Sequence, residues 1–386
     1  MHEQAVTFGA YVHVPYCATR CGYCDFNTYT SEELGPGVRR DTYVEDVCRE
    51  IDLAAEELRS AQLDPPRELS TVFFGGGTPT LLPAADLVRV LRHLQECFGL
   101  GRDAEVTTEA NPESVNRAYF DELRAGGFNR VSLGMQSASP SVLRVLDRRH
   151  TPGRAVAAAR EAADAGFDRV SLDLIYGTPG ETADQWRDTV QTAIDAGVGH
   201  VSAYALTVEP GTSMGAAIRR GEVPAPDPDV AAARYEVADD LLTDAGFEWY
   251  EISNWARPGH ECRHNIGYWT PGFDWWGFGP GAHSLVGGIR FHNVKHPRDY
   301  ARALRGGELP IAQRERLSDE ERRIEAVMLG VRLRAGLSTV DLPAGSRAAL
   351  NELESDGLVV PTEDQRVMLS RSGRLLADLV TLRLLG

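Results

Sequence analysis

Residues 10–24 read AYVHVPYCATRCGYC, and this stretch joins a predicted strand to a loop that carries three cysteines. AYVHV is a short apolar run of the kind found in buried strands. Cys17, Cys21 and Cys24 follow with the spacing C-x3-C-x2-C, and the next residues are Asp25 and Phe26 instead of a fourth cysteine. Three thiolates cannot by themselves complete a tetrahedral zinc site or a four-cysteine cluster. The loop therefore favours a [4Fe–4S] cluster in which one iron lacks a protein ligand and is free to bind a small molecule.

A zinc loop is the alternative that the spacing leaves open. Its fourth ligand would come from a distant part of the chain, where His260, Cys262 and His264 are the candidates. Disulfides are not expected, because clustered cysteines in a cytosolic chain of this size indicate metal binding or catalysis. Cys48 and Cys97 lie in amphipathic helical patterns and are predicted to be small buried hydrophobic residues.

Working outward from the first strand, the chain alternates between strand-like runs and helical patterns up to about residue 206. The five further runs are TVFF (71–74), EVTTE (105–109), RVSLG (130–134), RVSLDLIYG (169–177) and HVSAYAL (200–206). Six successive β-α units imply parallel strands with right-handed crossovers. A closed (β/α)8 barrel has eight strands. The predicted fold class is therefore α/β, with residues 1–210 forming a partial (β/α)6 barrel that is open along one side.

The rest of the chain is predicted to form two smaller units. Residues 211–310 contain the proline-rich acidic segment GEVPAPDPDV, which is typical of a loop, then one helix and segments rich in glycine and aromatic residues. This unit is expected to be an α+β extension that covers the site. Residues 311–386 predict a helix, a short helix, a helix, a hairpin and a last helix, an order that resembles a winged-helix domain.

Charge and hydrophobicity exclude several classes of function. The formal net charge is −16, and lysine occurs once, at Lys295, so a partner held through its phosphates is not expected. The winged-helix-like unit carries eleven arginines against twelve acidic residues, which favours a structural or lid role over DNA binding. No apolar run is long enough to span a bilayer, and MHEQAVTFGA lacks the features of a secretory signal. A cytoplasmic protein is expected.

Polar residues and glycines follow the predicted strands at the same end as the cysteine loop. GGGTP (75–79) follows the second strand, where glycines let backbone groups approach a ligand closely. Glu109 ends the third strand, Gln136 ends the fourth, Asp173 lies in the fifth, and Arg148 lies in a loop-helix region between them. Each has an ordinary explanation as a cap or a buried partner. Their convergence on one barrel mouth favours a ligand, because buried polar groups need partners.

CATRCGYC, together with GGGTP, TTEANP, GMQS and SLDLIYGTPGET, closely resembles the radical S-adenosylmethionine superfamily. Within it, the resemblance is to the oxygen-independent coproporphyrinogen III oxidase group, and it covers nearly the whole chain. The resemblance implies that Cys17, Cys21 and Cys24 hold a [4Fe–4S] cluster whose open iron chelates the methionine part of S-adenosylmethionine. It also implies a set of residues around that cofactor: Tyr11, Tyr23, Gly76, Gly77, Thr78, Glu109, Gln136, Arg148, Asp173 and Ala205.

Two departures from the oxidase sequences indicate which branch of this group the chain resembles. The oxidases continue the motif with a fourth cysteine two residues after the third, and they carry a longer N-terminal extension. Here Phe26 occupies that position, and only sixteen residues precede Cys17. Both features resemble the HemW family of haem chaperones.

HNIGYW (264–269) matches the HNxxYW motif that is associated with haem binding in that family. The resemblance implies His264 as the axial ligand of haem iron, with Tyr268 and Trp269 offering flat apolar surface. A histidine beside aromatic residues is also a common packing residue, and His260, Cys262 and His283 are lesser candidates.

The implied function is a chaperone that binds haem and delivers it to acceptor proteins such as membrane respiratory cytochromes, supported or gated by the cluster and S-adenosylmethionine. Oxidase activity is not expected. The alternative is the oxidase itself, which decarboxylates propionate side chains of coproporphyrinogen III through a radical. A homodimer is possible.

Overall fold

The computed structural model describes residues 8–34, 40–61, 68–340, 342–343, 345–362 and 364–386. Residues 1–7, which belong to the segment expected to carry no secretory signal, lie outside this range. Among the described helices, none combines the length and the apolar character that crossing a bilayer requires.

One twelve-stranded sheet forms the body of the protein. Its central strands are β1 (Phe8–Val14), β2 (Leu69–Gly76), β3 (Leu100–Ala110), β4 (Arg130–Gln136), β5 (Arg169–Tyr176) and β6 (His200–Ala205). They pair in chain order, and every pair is parallel. All six predicted strands are thus confirmed, with ends that differ by a few residues.

Helices connect these strands and cover the sheet. They are α1 (Ser31–Leu34), α2 (Arg40–Ser60), α3 (Ala84–Phe98), α4 (Arg117–Ala125), α5 (Pro140–Val145), α6 (Arg154–Asp164) and α7 (Ala183–Asp195). In α3 the buried residues Leu87, Leu91 and Leu94 recur at the spacing of one helical face, which explains why this segment packs as a helix. Helix α7 begins at a capping box between Thr182 and Gln185.

The predicted extension is α+β, and its strands continue the main sheet at both edges. Its elements are α8 (Ser213–Arg219), α9 (Pro228–Asp244), β7 (Glu248–Glu251), β8 (Asn254–Ala256), α10 (Arg263–Trp269), β9 (Asp274–Phe278), β10 (His283–Val286), β11 (Ile289–Asn293) and α11 (Pro297–Arg305). Strand β12 (Ile311–Arg316) lies just beyond the predicted end of this unit at residue 310, but it pairs with β11 in the same sheet. Strand β9 pairs parallel with β1, and β8 pairs antiparallel with β6. The open side of the partial barrel is therefore flanked by strands from the second half of the chain.

The C-terminal unit has its own small core around Val331, Leu353 and Val380. It consists of α12 (Asp319–Gly330), β13 (Leu337–Ser338), α13 (Ser346–Ser355), β14 (Val359–Pro361), β15 (Arg366–Leu369), α14 (Arg371–Leu375) and α15 (Ala377–Leu385). The prediction of a short helix between α12 and α13 is wrong. The described residues there include β13, which pairs with β15. That pairing between distant residues overrides the local preference.

Candidate cofactor site at the open edge of the barrel

A cavity of about 600 Å³ opens at the carboxyl ends of the parallel strands. It brings together all the residues predicted for the cluster and the cofactor: Tyr11, Cys17, Cys21, Tyr23, Cys24, Gly76, Gly77, Thr78, Glu109, Gln136, Arg148, Asp173 and Ala205. His264 and Cys262 also line it, whereas His260 and His283 do not. In contrast to the Val, Ile and Leu side chains that usually fill a barrel, serine, threonine and charged residues face this interior.

The cysteine loop is fixed by backbone hydrogen bonds at several points. The N–H of Cys17 donates to the carbonyl of Tyr29 at 3.0 Å, and the N–H of Tyr29 donates to the carbonyl of Pro15 at 2.7 Å. Farther along, the N–H of Gly22 donates to the carbonyl of Leu146, and the carbonyl of Gly22 accepts from the N–H of Met214 at 2.8 Å. The loop is thus tied to three separate parts of the barrel mouth.

The spacing of the thiols bears on the zinc alternative. Among the described residues, the sulfurs of Cys17, Cys21 and Cys24 do not all lie within 4.8 Å of one another. A tetrahedral zinc ion with bonds of about 2.3 Å would draw its sulfur ligands to about 3.8 Å apart. A cluster spreads its cysteines over separate irons and so suits a wider trio. Binding a single zinc ion would therefore require these three thiols to move closer together.

Burial opposes negative charge on two of the three thiols. Burial raises the pKa of Cys17, and the neighbouring Cys24 thiol raises it further. Burial likewise raises the pKa of Cys24. Binding of a cationic group would therefore favour the thiolate forms of Cys17 and Cys24.

The glycine turn joins β2 to the cysteine loop. The N–H of Gly77 donates to the carbonyl of Val14 at 2.8 Å, and the N–H of Thr78 donates to the carbonyl of Tyr16 at 2.7 Å. A Cβ on Gly77 would lie 2.5 Å from the Tyr16 carbonyl oxygen, so a side chain would push the two segments apart. These N–H groups bond within the protein, so the turn shapes the cavity wall and positions the cysteine loop.

Two carboxylates face the cavity from β3 and β5, the strands on either side of β4. Glu109 accepts a hydrogen bond from the N–H of Gly76 at 3.0 Å, and Asp173 accepts from the hydroxyl of Ser132 at 2.8 Å. Burial, with a contribution from the charge of Asp173, raises the pKa of Glu109 to about 8. Burial also raises the pKa of Asp173. A cationic ligand would relieve the cost of holding both charges here.

Arg148 supplies positive charge beside the cysteine loop. Its Nη1 donates to the sulfur of Cys21 at 3.6 Å, and its Nη2 donates to the carbonyl of Gly134 at 3.2 Å. Its Nε is buried without a hydrogen-bond partner. A buried donor without a partner favours an anionic or hydrogen-bonding ligand at this position.

Gln136 ends β4 in a strained conformation. Its φ is 64°, in the left-handed region that residues other than glycine seldom adopt. Such strain is commonly retained at binding sites, where it directs a side chain toward a ligand. The GMQS motif therefore places a polar side chain at the cavity on a left-handed backbone conformation, which a regular strand does not adopt.

Aromatic side chains form parts of the cavity wall. Tyr11 stacks on Phe73 with ring centroids 6.3 Å apart, and its hydroxyl hydrogen-bonds with Nδ1 of His13 at 3.1 Å. Tyr23 packs against an apolar cluster at the opposite part of the loop. Phe26 lies at the mouth of the cavity and is 59% exposed.

His264 lies at the floor of the cavity on α10 and is fully buried. Its Nδ1 shares a hydrogen bond of 2.8 Å with the hydroxyl of Thr71, and its Nε2 shares one of 2.9 Å with the hydroxyl of Tyr268. The ring also stacks on Phe73, with centroids 5.2 Å apart. Burial lowers the pKa of His264 to about 3, so the imidazole is neutral. Both ring nitrogens have partners, and binding iron would require one of them to be released.

A charged network beneath the cavity was not predicted from the sequence. Arg130 is 1% exposed and donates to the carbonyl of His260 at 2.8 Å. Glu105, also buried, accepts from the N–H of His264 at 3.0 Å and from the thiol of Cys262 at 3.5 Å. Both residues lie within strand-like runs, and only the alternation of a strand hinted that their side chains face inward.

The arrangement offers opposite charges to different parts of a ligand. A carboxylate matches the guanidinium of Arg148, while an ammonium or sulfonium group and hydroxyls match Glu109 and Asp173. S-adenosylmethionine carries all of these groups. When bound, a [4Fe–4S] cluster in the cysteine loop would supply the open iron and the electron that this cofactor requires.

Comparison with known proteins agrees with this reading. Residues 11–193 match the radical SAM superfamily. The chain is 53% identical over 379 residues to the haem chaperone HemW of Mycobacterium tuberculosis, covering 98% of this chain and 95% of the relative. The HemW of Bacillus subtilis is 31% identical over 386 residues, covering 98% and 99%.

Among solved structures, coproporphyrinogen III oxidase (HemN) from Escherichia coli, a radical SAM enzyme, is similar to this chain. The TM-score is 0.81 at 25% identity, with coverage of 98% of this chain and 90% of that one. The fold is thus shared with the oxidase, whereas the sequence identity is higher with the chaperones. The chain belongs to the HemW family of radical S-adenosylmethionine proteins.

Proposed function

We propose that this protein is a haem chaperone, which binds haem and delivers it to acceptor proteins, and that it carries a [4Fe–4S] cluster with S-adenosylmethionine. The observation that carries the proposal is 53% identity to the haem chaperone HemW of Mycobacterium tuberculosis along 98% of this chain. Phe26, exposed at the cavity mouth where an oxidase has a fourth cysteine, supports the chaperone over the oxidase. Membrane respiratory cytochromes are the proposed acceptors.

Cys17, Cys21 and Cys24 are proposed to hold the cluster. Arg148 would bind the carboxylate of S-adenosylmethionine, which is supported by its buried Nε without a partner. Glu109 and Asp173 would neutralise the cationic groups and accept from the ribose hydroxyls, which is supported by the raised pKa of both carboxyl groups. Tyr11, Tyr23, Gly76, Gly77, Thr78, Gln136 and Ala205 would complete the cofactor pocket.

His264 is proposed as the axial ligand of haem iron. Its neutral imidazole is the form that binds iron, and it lines the same cavity as the cysteine loop. Ligation requires Tyr268 to turn away, because the tyrosine hydroxyl lies 2.9 Å from Nε2. Haem entry would therefore open α10, and the hydrogen bond between His264 and Tyr268 would regulate affinity.

Hemin titration of three variants tests this assignment. His264→Ala should abolish the shift of the Soret band, whereas Tyr268→Phe should tighten binding severalfold by freeing Nε2 without removing the ring. His283→Ala, at an exposed histidine outside the cavity, serves as the matched control and should bind like the parent. An unchanged Soret shift in His264→Ala would reject His264 as the ligand, and no haem binding by the parent would reject the chaperone function.

A second candidate function is the decarboxylation of coproporphyrinogen III. It is favoured by the structural similarity to coproporphyrinogen III oxidase at a TM-score of 0.81 over 98% of the chain. The reconstituted and reduced protein should then form protoporphyrinogen from coproporphyrinogen III under anaerobic conditions. The chaperone proposal expects no product in this assay, while S-adenosylmethionine still binds.

A further inference from the structure

Helices α2 and α3 carry a second group of metal-binding side chains on the outside of the barrel. Asp52 lies on α2, and His93 and Cys97 lie four residues apart on one face of α3. The three ligand atoms all lie within 4.8 Å of one another, and no other trio of cysteine, histidine or acidic side chains among the described residues does so. None of the three residues lines the cofactor cavity.

The separations between these atoms are close to those that a tetrahedral ion imposes. Nε2 of His93 lies 2.8 Å from Oδ1 of Asp52, and the sulfur of Cys97 lies 3.6 Å from that oxygen and 3.9 Å from Nε2. Zinc bonds of about 2.0–2.3 Å at tetrahedral angles would place the same atoms about 3.3–3.6 Å apart. Shifts of a few tenths of an ångström would therefore complete the coordination, and Asp52, which is exposed, leaves room for a water molecule as a fourth ligand.

A second carboxylate stands on the other side of the histidine ring. Oε2 of the exposed Glu96 lies 3.8 Å from Nδ1 of His93, which is beyond hydrogen-bonding distance but within reach of a small side-chain movement. Histidines that bind metals usually donate their other ring N–H to a carboxylate, which fixes the ring and increases its basicity.

Cys48 lies one helical turn before Asp52 on α2 and is partly buried. It is close enough to Asp52 and Glu96 for their charges to raise the pKa of its thiol, a shift that burial dominates. A second thiol is thus available at the edge of the trio. The cations Arg59 and Arg89 are also near these thiols and limit the net negative charge of the group.

We propose that Asp52, His93 and Cys97 form a second metal site that binds one divalent transition-metal ion, of which Zn²⁺ is the representative. The mixture of one nitrogen, one sulfur and one oxygen suits a borderline ion and excludes Mg²⁺ and Ca²⁺, which prefer oxygen ligands. The bound ion links α2 to α3, which pack against each other beside the first strands. It therefore stabilises the wall of the barrel without taking part in the cofactor site.

Cobalt spectroscopy of the full chain tests the site directly. Replacing Cys17, Cys21 and Cys24 with serine removes metal binding at the cluster loop. Titration of this protein with Co²⁺ should produce a thiolate-to-cobalt charge-transfer band that saturates at one equivalent and disappears on addition of Zn²⁺. Cys97→Ser should abolish the band, and His93→Ala should lower the affinity at least tenfold.

His292→Ala is the matched control, because His292 lies outside the proposed site, beside His283 on the neighbouring strand. It should leave both the band and the affinity unchanged. The melting temperature should rise with Zn²⁺ in the cluster-free parent and in the control, but not in Cys97→Ser. Absence of the charge-transfer band, or its persistence in Cys97→Ser, would overturn the proposal, whichever function the main cavity has.

Discussion

The cysteine loop and helix α10 carry the two most recognisable motifs of this chain, but their side chains are in opposite physical states. At the cysteine loop, burial raises the pKa of Cys17 and Cys24, and Arg148 has a buried nitrogen without a partner. On α10, both ring nitrogens of His264 are hydrogen-bonded and its ring is packed between aromatic residues. The loop therefore has polar groups that a ligand would satisfy, whereas the ring nitrogens of His264 on α10 are already satisfied within the protein. Motifs of similar strength in the sequence therefore correspond to unsatisfied polar groups in one region and, in the other, to a packed histidine that must release a hydrogen bond before it can bind iron.

The largest expected effect is the loss of the cluster. Replacing Cys17, Cys21 or Cys24 singly with serine should abolish the incorporation of iron and sulfide, because each thiolate holds a separate iron. The measurement is the iron and acid-labile sulfide content per chain after anaerobic reconstitution. Cys262→Ser is the control and should retain the full cluster, since Cys262 bonds to Glu105 beneath the cavity. Loss of the cluster in Cys262→Ser would instead support a fourth protein ligand.

The comparison also predicts a difference in the stability of the protein without cofactors. His264→Ala should lower the free energy of unfolding by about 2–4 kcal/mol, because it leaves a cavity and removes the partners of Thr71 and Tyr268. Cys21→Ser should change it by less than about 1 kcal/mol. Urea denaturation at one pH measures both values. If the cysteine variant is the more destabilised of the two, the contrast between the regions is wrong.

Glu109 makes the stability depend on pH. Its pKa in the folded state is raised to about 8 from an ordinary value of 4.5, so the folded protein retains a proton that the unfolded chain has lost. Stability from this group is therefore fully present below pH 4.5 and is lost as the pH rises through about 8. Glu109→Gln should flatten this decline by roughly 2–3 kcal/mol across the window, allowing for solvent screening at the cavity.

The same variant should weaken the binding of S-adenosylmethionine about tenfold or more, because a charged acceptor is lost. Calorimetry near pH 7 in two buffers should detect proton release on binding by the parent, since a cationic ligand lowers the pKa of Glu109. Proton release that persists in Glu109→Gln would contradict the role of this carboxyl group.

The smallest expected effect concerns the backbone of Gln136. Because its φ is 64°, Gln136→Gly should be more stable than Gln136→Ala by about 1 kcal/mol, the reverse of the usual order in a strand. Thermal unfolding of the two variants measures the difference. Both should bind S-adenosylmethionine more weakly than the parent, because both lack the amide. A more stable alanine variant would show that the left-handed conformation is not retained.

The first half of the fold was predictable because each strand is an apolar run followed by a helix. Local patterns suffice for β1 to β6, and their carboxyl ends then necessarily meet at one mouth. The strand β9 was not predictable, since its partner β1 lies more than 260 residues away and its sequence, DWWGF, has no clear alternation. Glu109, Gln136 and Asp173 follow from the same local logic, whereas Tyr11, Tyr23 and Ala205 were implied only by the family resemblance. Arg130 and Glu105 are recognised only when His260 and α10 are placed beside them.

The proposed role of the main cavity depends on a cluster that is held by three cysteines and binds S-adenosylmethionine at its remaining iron. Electron paramagnetic resonance of the reconstituted and reduced protein, with and without S-adenosylmethionine, measures this binding. We expect a [4Fe–4S] signal whose g-values shift when S-adenosylmethionine is added, and no such signal in Cys21→Ser. Identical g-values in the two samples would rule out S-adenosylmethionine as a ligand of the cluster.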